Sequence, residues 1–127
     1  MKITKILSNN DIYYIATGLN SNFDRDLKLP IKVSFYLNKN KKYFTELAQQ
    51  IEEEKNKLCA KFGTFDSVNN RFHFENDEIL KQVNKEFSEL MGLKQEVSFY
   101  EIPLEDFGEI NLSIKEMDIL EYMIKEE

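Results

Sequence analysis

The residues able to do chemistry are few, and their spacing assembles no reaction centre. His73 is the one histidine and Cys59 the one cysteine. A lone histidine between Phe72 and Phe74, in a stretch that alternates like a strand, reads as a half-exposed structural residue. With one of each type, zinc-ligand spacings cannot arise and no Cys–His pair is indicated. Cys59 falls off the apolar seam of a long helical stretch and reads as a small packed or partly exposed thiol. Carboxylates are plentiful, but Glu105-Asp106 sits in a turn signal, where capping or solvation accounts for both. Glu52, Glu53 and Glu54 fan around a helix and cannot converge on one ion. The chain has no D-x-D-x-D-G loop, H-x-x-x-H pair, glycine-rich phosphate cradle or nucleophile elbow. No catalytic residue, metal site or cofactor is expected. Lys39-Asn40-Lys41-Lys42, beside Tyr36 and Tyr43, is the closest approach to a nucleic-acid signal, and it reads as a solvated helix face.

The charge is more informative than the chemistry. A net -6 conceals an asymmetry: residues 1–74 hold 12 Lys+Arg against 8 Asp+Glu, and residues 75–127 hold 5 against 15. Such a split serves head-to-tail contact between subunits or contact with a basic partner, unless the halves neutralise each other within one fold. A net acidic chain argues against duplex binding through phosphates. No apolar run approaches the ~20 residues that span a bilayer. The start, Met1-Lys2-Ile3-Thr4-Lys5-Ile6-Leu7, lacks a long apolar region and a small-residue cleavage site. One cysteine allows no internal disulfide. The expectation is a single cytoplasmic domain over residues 1–127, without a membrane.

The positioning element is the stretch Pro30 to Phe62, free of glycine and of any further proline, closed by Gly63. Val33, Leu37, Phe44, Leu47, Ile51 and Leu58 recur at helical spacing and form a lengthwise seam. Pro30 is expected at the first helical position and Gly63 as a left-handed cap. The second seam row, Val33, Asn40, Leu47, Glu54 and Lys61, turns polar. Either the apolar surface rotates there or the helix end projects from the body. The expected interaction surface is Tyr36, Tyr43, Phe44, Leu47, Ile51, Glu54 and Leu58.

Around this rod, the first residues suit a short strand. Asn9 or Asn10 can cap a helix carrying Ile12, Ile15, Ala16 and Leu19, weakened by Gly18 and ended by Asn20-Ser21-Asn22. Phe23 to Leu29 is a surface link. Thr64 to Phe74 reads as a hairpin, with Phe65 facing Phe72 and Phe74 and turn chemistry in Asp66 to Asn70. Asn76 caps a helix with Leu80, Val83, Phe87, Leu90 and Met91 inward and Ile79 beside them, ended by Gly92. With a hairpin as the link, that helix folds back antiparallel on the long one. Gln95 to Ile102 is a strand with Val97 and Phe99 on one side, ended or edged by Pro103. Leu104 to Gly108 is a single turn. Ser113-Ile114-Lys115-Glu116 is a capping box opening a last helix, with Ile114, Met117, Leu120, Glu121 and Ile124 along one side. The fold class is α+β, mainly helical: a long helix with an antiparallel shorter one, a small β-hairpin, an additional strand and a C-terminal helix.

The order of these motifs resembles a family of short, functionally uncharacterised proteins of tailed phages and prophages of low-GC Gram-positive bacteria. The likeness rests on Leu29-Pro30-Ile31-Lys32-Val33-Ser34-Phe35 opening the long helix and Lys57-Leu58-Cys59-Ala60-Lys61-Phe62-Gly63 closing it. The tail Leu112-Ser113-Ile114-Lys115-Glu116-Met117-Asp118-Ile119-Leu120-Glu121 completes it, so that roughly residues 29–124 are covered. The first 28 residues match as a generic short helix only. The resemblance implies a phage context, a non-enzymatic accessory role and no catalytic residues to carry over. Joined to the seam and the charge split, it points to an interaction protein, in virion assembly or as a self-associating scaffold, whose partner is another protein or a second copy. The alternative is an acidic inhibitor of a basic, nucleic-acid-binding host protein; an enzyme comes third.

Overall fold

Helix α2, Ile31–Phe62, is the spine, about 48 Å long at 1.5 Å per residue. The computed structural model describes residues 1–21 and 28–125. In order these give strand β1 (Lys2–Ser8), helix α1 (Asn9–Ser21), α2, strands β2 (Thr64–Asp66) and β3 (Arg71–His73), and helix α3 (Asp77–Gly92). Strands β4 (Lys94–Tyr100) and β5 (Ile102–Pro103), a 3-10 turn (Leu104–Phe107), helix α4 (Ile114–Leu120) and strand β6 (Ile124–Lys125) follow. The class is α+β, mainly helical, as the periodicities predict. The link expected over 23–29 lies largely outside the described residues; its end, Leu29, packs against the core.

Among the described residues three two-stranded ladders serve the helices. β1 pairs antiparallel with β4, Lys2 opposite Tyr100 and Ser8 opposite Lys94. β2 and β3 form the hairpin, Phe65 opposite Phe72. β5 and β6 pair in parallel, Ile102 beside Ile124. The core collects Ile12, Ile15 and Leu19 from α1, Val33, Leu37, Phe44 and Ile51 from α2, and Val97 and Phe99 from β4. Ile102, Phe107, Ile119, Leu120 and Met123 close it. α3 folds back along α2, placing the Phe87 ring 5.5 Å from the Lys55 ammonium, and its end reaches α1.

Several caps differ from expectation. Pro30 stands one place earlier, as N-cap (φ -52°, ψ 145°), its carbonyl accepting the Ser34 N–H at 3.0 Å. Its missing donor is harmless there for the same reason as at the first turn. Ser8, not Asn9 or Asn10, caps α1, its hydroxyl accepting the Asp11 N–H at 3.1 Å. Asn9 is buried and ties three elements instead. Its amide donates to Leu90 C=O, its carbonyl accepts from the Gln95 amide, and its backbone N–H donates to Leu93 C=O, each at 2.8 Å. Gly63 is extended (φ -136°), not left-handed. Glycine is needed there because a Cβ would lie 2.7 Å from the Phe74 ring and 2.8 Å from the His73 carbonyl. Asn76 and the Ser113–Glu116 capping box form as read.

Two apolar faces also move. In α3 only Val83 is fully buried; Leu80 is 41% exposed, with Ile79 more covered than it. α4 is a short helix that buries Glu116, Ile119 and Leu120, with Met123 beyond it, while Ile114 (82% exposed), Met117 and Glu121 look outward. Ile124 leaves the helix for β6. The reason is visible at α1: a Cβ on buried Gly18 would overlap Cδ1 and Cγ1 of Ile119, so the glycine is the seat of α4. Gly18→Ala gains helix propensity of about 1 kcal/mol but overpacks a fully buried side chain, typically at about 1–3 kcal/mol. The expected result is a lowered melting temperature that Ile119→Val, which removes Cδ1, partly restores. Thermal melts of the four proteins in a double-mutant cycle check it.

Candidate interaction surfaces

The chemistry-bearing residues are scattered. His73 is exposed on β3 and Cys59 half-buried on α2. Asp106 pairs with Lys32 at 3.3 Å, Glu52 with Lys55 at 3.8 Å and Glu54 with Lys57 at 3.1 Å. Among the described residues no group of three or more His, Cys, Asp or Glu could hold a metal. Asp66 and Tyr122 are displaced from their ordinary values, each for a structural reason. The Asp66 carboxyl is held down by hydrogen bonds donated from the Asn69 amide (2.7 Å), the Asn69 N–H (3.3 Å) and the Val68 N–H (3.0 Å). These fix the hairpin turn, in which Asn70 takes φ 53°. The Tyr122 phenol is pushed up by burial, then by the charge of Asp11, to whose carboxylate it donates at 3.3 Å.

The expected contact residues of α2 divide sharply. Phe44 is fully buried against the Phe99 ring (centroids 5.3 Å), and Ile51 is 5% exposed. Both therefore belong to the core of the chain and offer nothing to a partner. Tyr36 stacks on Tyr100 at 4.8 Å, and the Tyr43 hydroxyl accepts the Ser98 N–H at 3.1 Å. Leu47 is half-buried against the core. Only Glu54, exposed, and Leu58, half-buried, lie where the helix leaves the body.

Beyond Ile51 the pattern changes. Not one residue from 52 through 82 is buried. This arm comprises the end of α2, the hairpin and the start of α3. It nevertheless carries Phe62, Phe65, Val68, Phe72, Phe74 and Leu80. Phe65 is 51% exposed, Val68 90% and Leu80 41%, while Phe62, Phe72 and Phe74 are half-buried, Phe72 in edge contact with Phe65 (5.3 Å). At this end of α2 Glu54 and Lys61 are exposed, while Leu58, Cys59 and Phe62 are half-buried, with α3 packed along the helix. Sequence periodicity could not rank the arm's apolar residues by exposure, because each has a plausible inward phase on its own element.

A second surface lies around α4. A groove of about 720 Å³ runs between the 3-10 turn, α4 and β6, with Leu104, Met117 and Ile124 as apolar lining and Glu105, Asp118 and Glu121 as carboxylates. The periodicity of the last helix predicts Met117 and Glu121 on its inward side, whereas the helix is turned by one residue and both face the groove. No protein-family model, curated protein or solved structure matches this chain.

Proposed function

We propose that the chain is a non-enzymatic phage or prophage accessory protein that acts by protein–protein contact, its arm pairing with the arm of a second copy. The carrying observation is the absence of any buried residue across 52–82 despite its aromatic content. A monomer rarely leaves a contiguous apolar surface of more than a few hundred Å² in water, and each large apolar side chain so left forgoes roughly 1.5–3 kcal/mol. A second copy fits because the arm carries both signs of charge. Lys57, Lys61 and Arg71 occupy the end of α2 and the hairpin; Glu75, Asp77 and Glu78 stand at the start of α3. A two-fold arrangement sets each group against its opposite around the Phe65–Phe72 centre.

The acidic-decoy reading needs carboxylates in one row on one face. Here Glu75, Asp77 and Glu78 lie near the end of α2. Asp106 is paired at its beginning with Lys32, and Glu116 is buried. That separation favours contact between like chains. Light scattering over a wide concentration range is expected to give a mass above the monomer. Phe65→Ser with Leu80→Ser should lower that mass, while at concentrations where the parent is dissociated the thermal melt stays close to the parent, since both side chains are exposed in the single chain. A parent that is monomeric throughout, or a variant that keeps the parent's mass, overturns the arm as the pairing surface.

A further inference from the structure

We infer that the opposite end of the molecule carries a second, separate self-association face, in which the outward ridge of α2 from one copy seats in the α4 groove of another. The inference extends the self-association reading and is tested apart from it.

The ridge consists of Ile31, Phe35, Lys39 and Lys42, spaced i, i+4, i+8 and i+11 on the helix side opposite Val33, Leu37 and Phe44. Ile31 is 88% exposed and Phe35 55%, while the Lys39 ammonium lies 5.4 Å from the Phe35 ring centre. It is an apolar ridge with a basic continuation. The groove is its counterpart: apolar lining from Leu104 (55% exposed), Met117 and Ile124, with Glu105, Asp118 and Glu121 around them and, among the described residues, Lys125 as the one cation. Its volume is in the range that encloses a drug-sized ligand, enough to admit an isoleucine and a phenylalanine side chain. Met117 can adapt to either.

Ridge and groove sit at the same end of the molecule. The Lys32–Asp106 ion pair (3.3 Å) fastens the start of α2 to the 3-10 turn that supplies Leu104 and Glu105. The chain does not fill its own groove with the ridge, since Ile31 and Phe35 stay in solvent. A second copy related by a two-fold axis exchanges them, giving two identical contacts of basic ridge in acidic groove. Opposite charge across such a rim favours this partner and disfavours one of like sign. With the arm face some 30 residues further along the spine, each copy has two self-complementary ends. Copies then add end to end into an open row instead of closing as a dimer.

Sedimentation of four proteins separates the two faces. The parent is expected to form species larger than a dimer. Phe65→Ser/Leu80→Ser leaves a dimer held by ridge and groove. Adding Lys39→Glu/Lys42→Glu to that variant gives monomer, with the dimer dissociation constant raised on the order of tenfold or more. Adding Asp118→Lys/Glu121→Lys as well, which swaps the charges of both sides, restores the dimer. All the substituted side chains are exposed, so far-ultraviolet spectra, and melts at concentrations where every protein is dissociated, are expected to match the parent. An arm variant that is monomeric, a dimer indifferent to Lys39→Glu/Lys42→Glu, or a charge swap that fails to restore it overturns the second face. A parent that is dimeric and unaffected by the arm substitutions counts against the arm alone.

Discussion

Asn40→Leu will lower the melting temperature by roughly 10 °C, although leucine has the same branching at Cγ and would sit in the apolar seam of α2. β4 has a ladder partner on one edge only. Its other edge faces α2, and side chains stand in for the missing strand. Asn40 is 1% exposed; its amide donates to the Tyr100 carbonyl and its carbonyl accepts the Tyr100 N–H, both at 2.8 Å. One turn on, the Tyr43 hydroxyl accepts the Ser98 N–H. Leucine would fill the space and leave both backbone groups of Tyr100 without partners, at about 1–3 kcal/mol each, against some recovered apolar burial. A net loss of about 3 kcal/mol is a large part of a domain's stability. Tyr43→Phe, which strands one N–H nearer solvent, is expected to cost about 1 kcal/mol. Thermal and urea melts of the two variants give the ranking. An Asn40→Leu protein that melts with the parent would mean the edge of β4 finds other partners.

Asn40 also shows where reading the sequence stops. Its position in the seam was plain, but its duty depends on a strand 60 residues away, and no local pattern names that partner. What is local was legible: the burial of Ile12, Ile15, Ala16 and Leu19 in α1, the extent of α2, the Asn76 cap, the Ser113–Glu116 box and the alternation of Val97 and Phe99 with Ser98 and Tyr100. Each is decided within a few residues by periodicity or capping chemistry. Contacts that join distant segments were not. β1 reads as a weak strand because its register is imposed by β4, with Thr4 opposite Ser98. The phase of α4 is set by how Ile119 seats on Gly18, which turns Met117 and Glu121 to solvent and creates the groove. The residues expected to form a contact surface on α2 divide into two groups. The half that meets the other elements became core, and the half beyond Ile51 stayed uncovered.

That division makes Phe44→Ala and the arm substitutions opposite experiments on one helix. Phe44 is fully enclosed, and deleting its ring leaves a cavity among Phe99, Tyr43 and their neighbours, at about 3–5 kcal/mol. For a domain whose stability is commonly 5–15 kcal/mol, that brings the native state close to the unfolding threshold. Phe65→Ser/Leu80→Ser removes comparable apolar surface, but from positions half in water, so the folded monomer loses little and the pairing loses its centre. The expected pattern is therefore crossed. Phe44→Ala lowers the melt sharply, and what remains folded keeps the parent's self-association per folded chain. The arm variant keeps the melt, read at a concentration where the parent is dissociated, and falls to a smaller mass at high concentration. Melts by circular dichroism beside sedimentation of the same samples read both axes. An arm variant that melts as early as Phe44→Ala would show residues 52–82 to be structural to the single chain. A Phe44→Ala protein with an intact melt and lost association would return that ring to the contact surface.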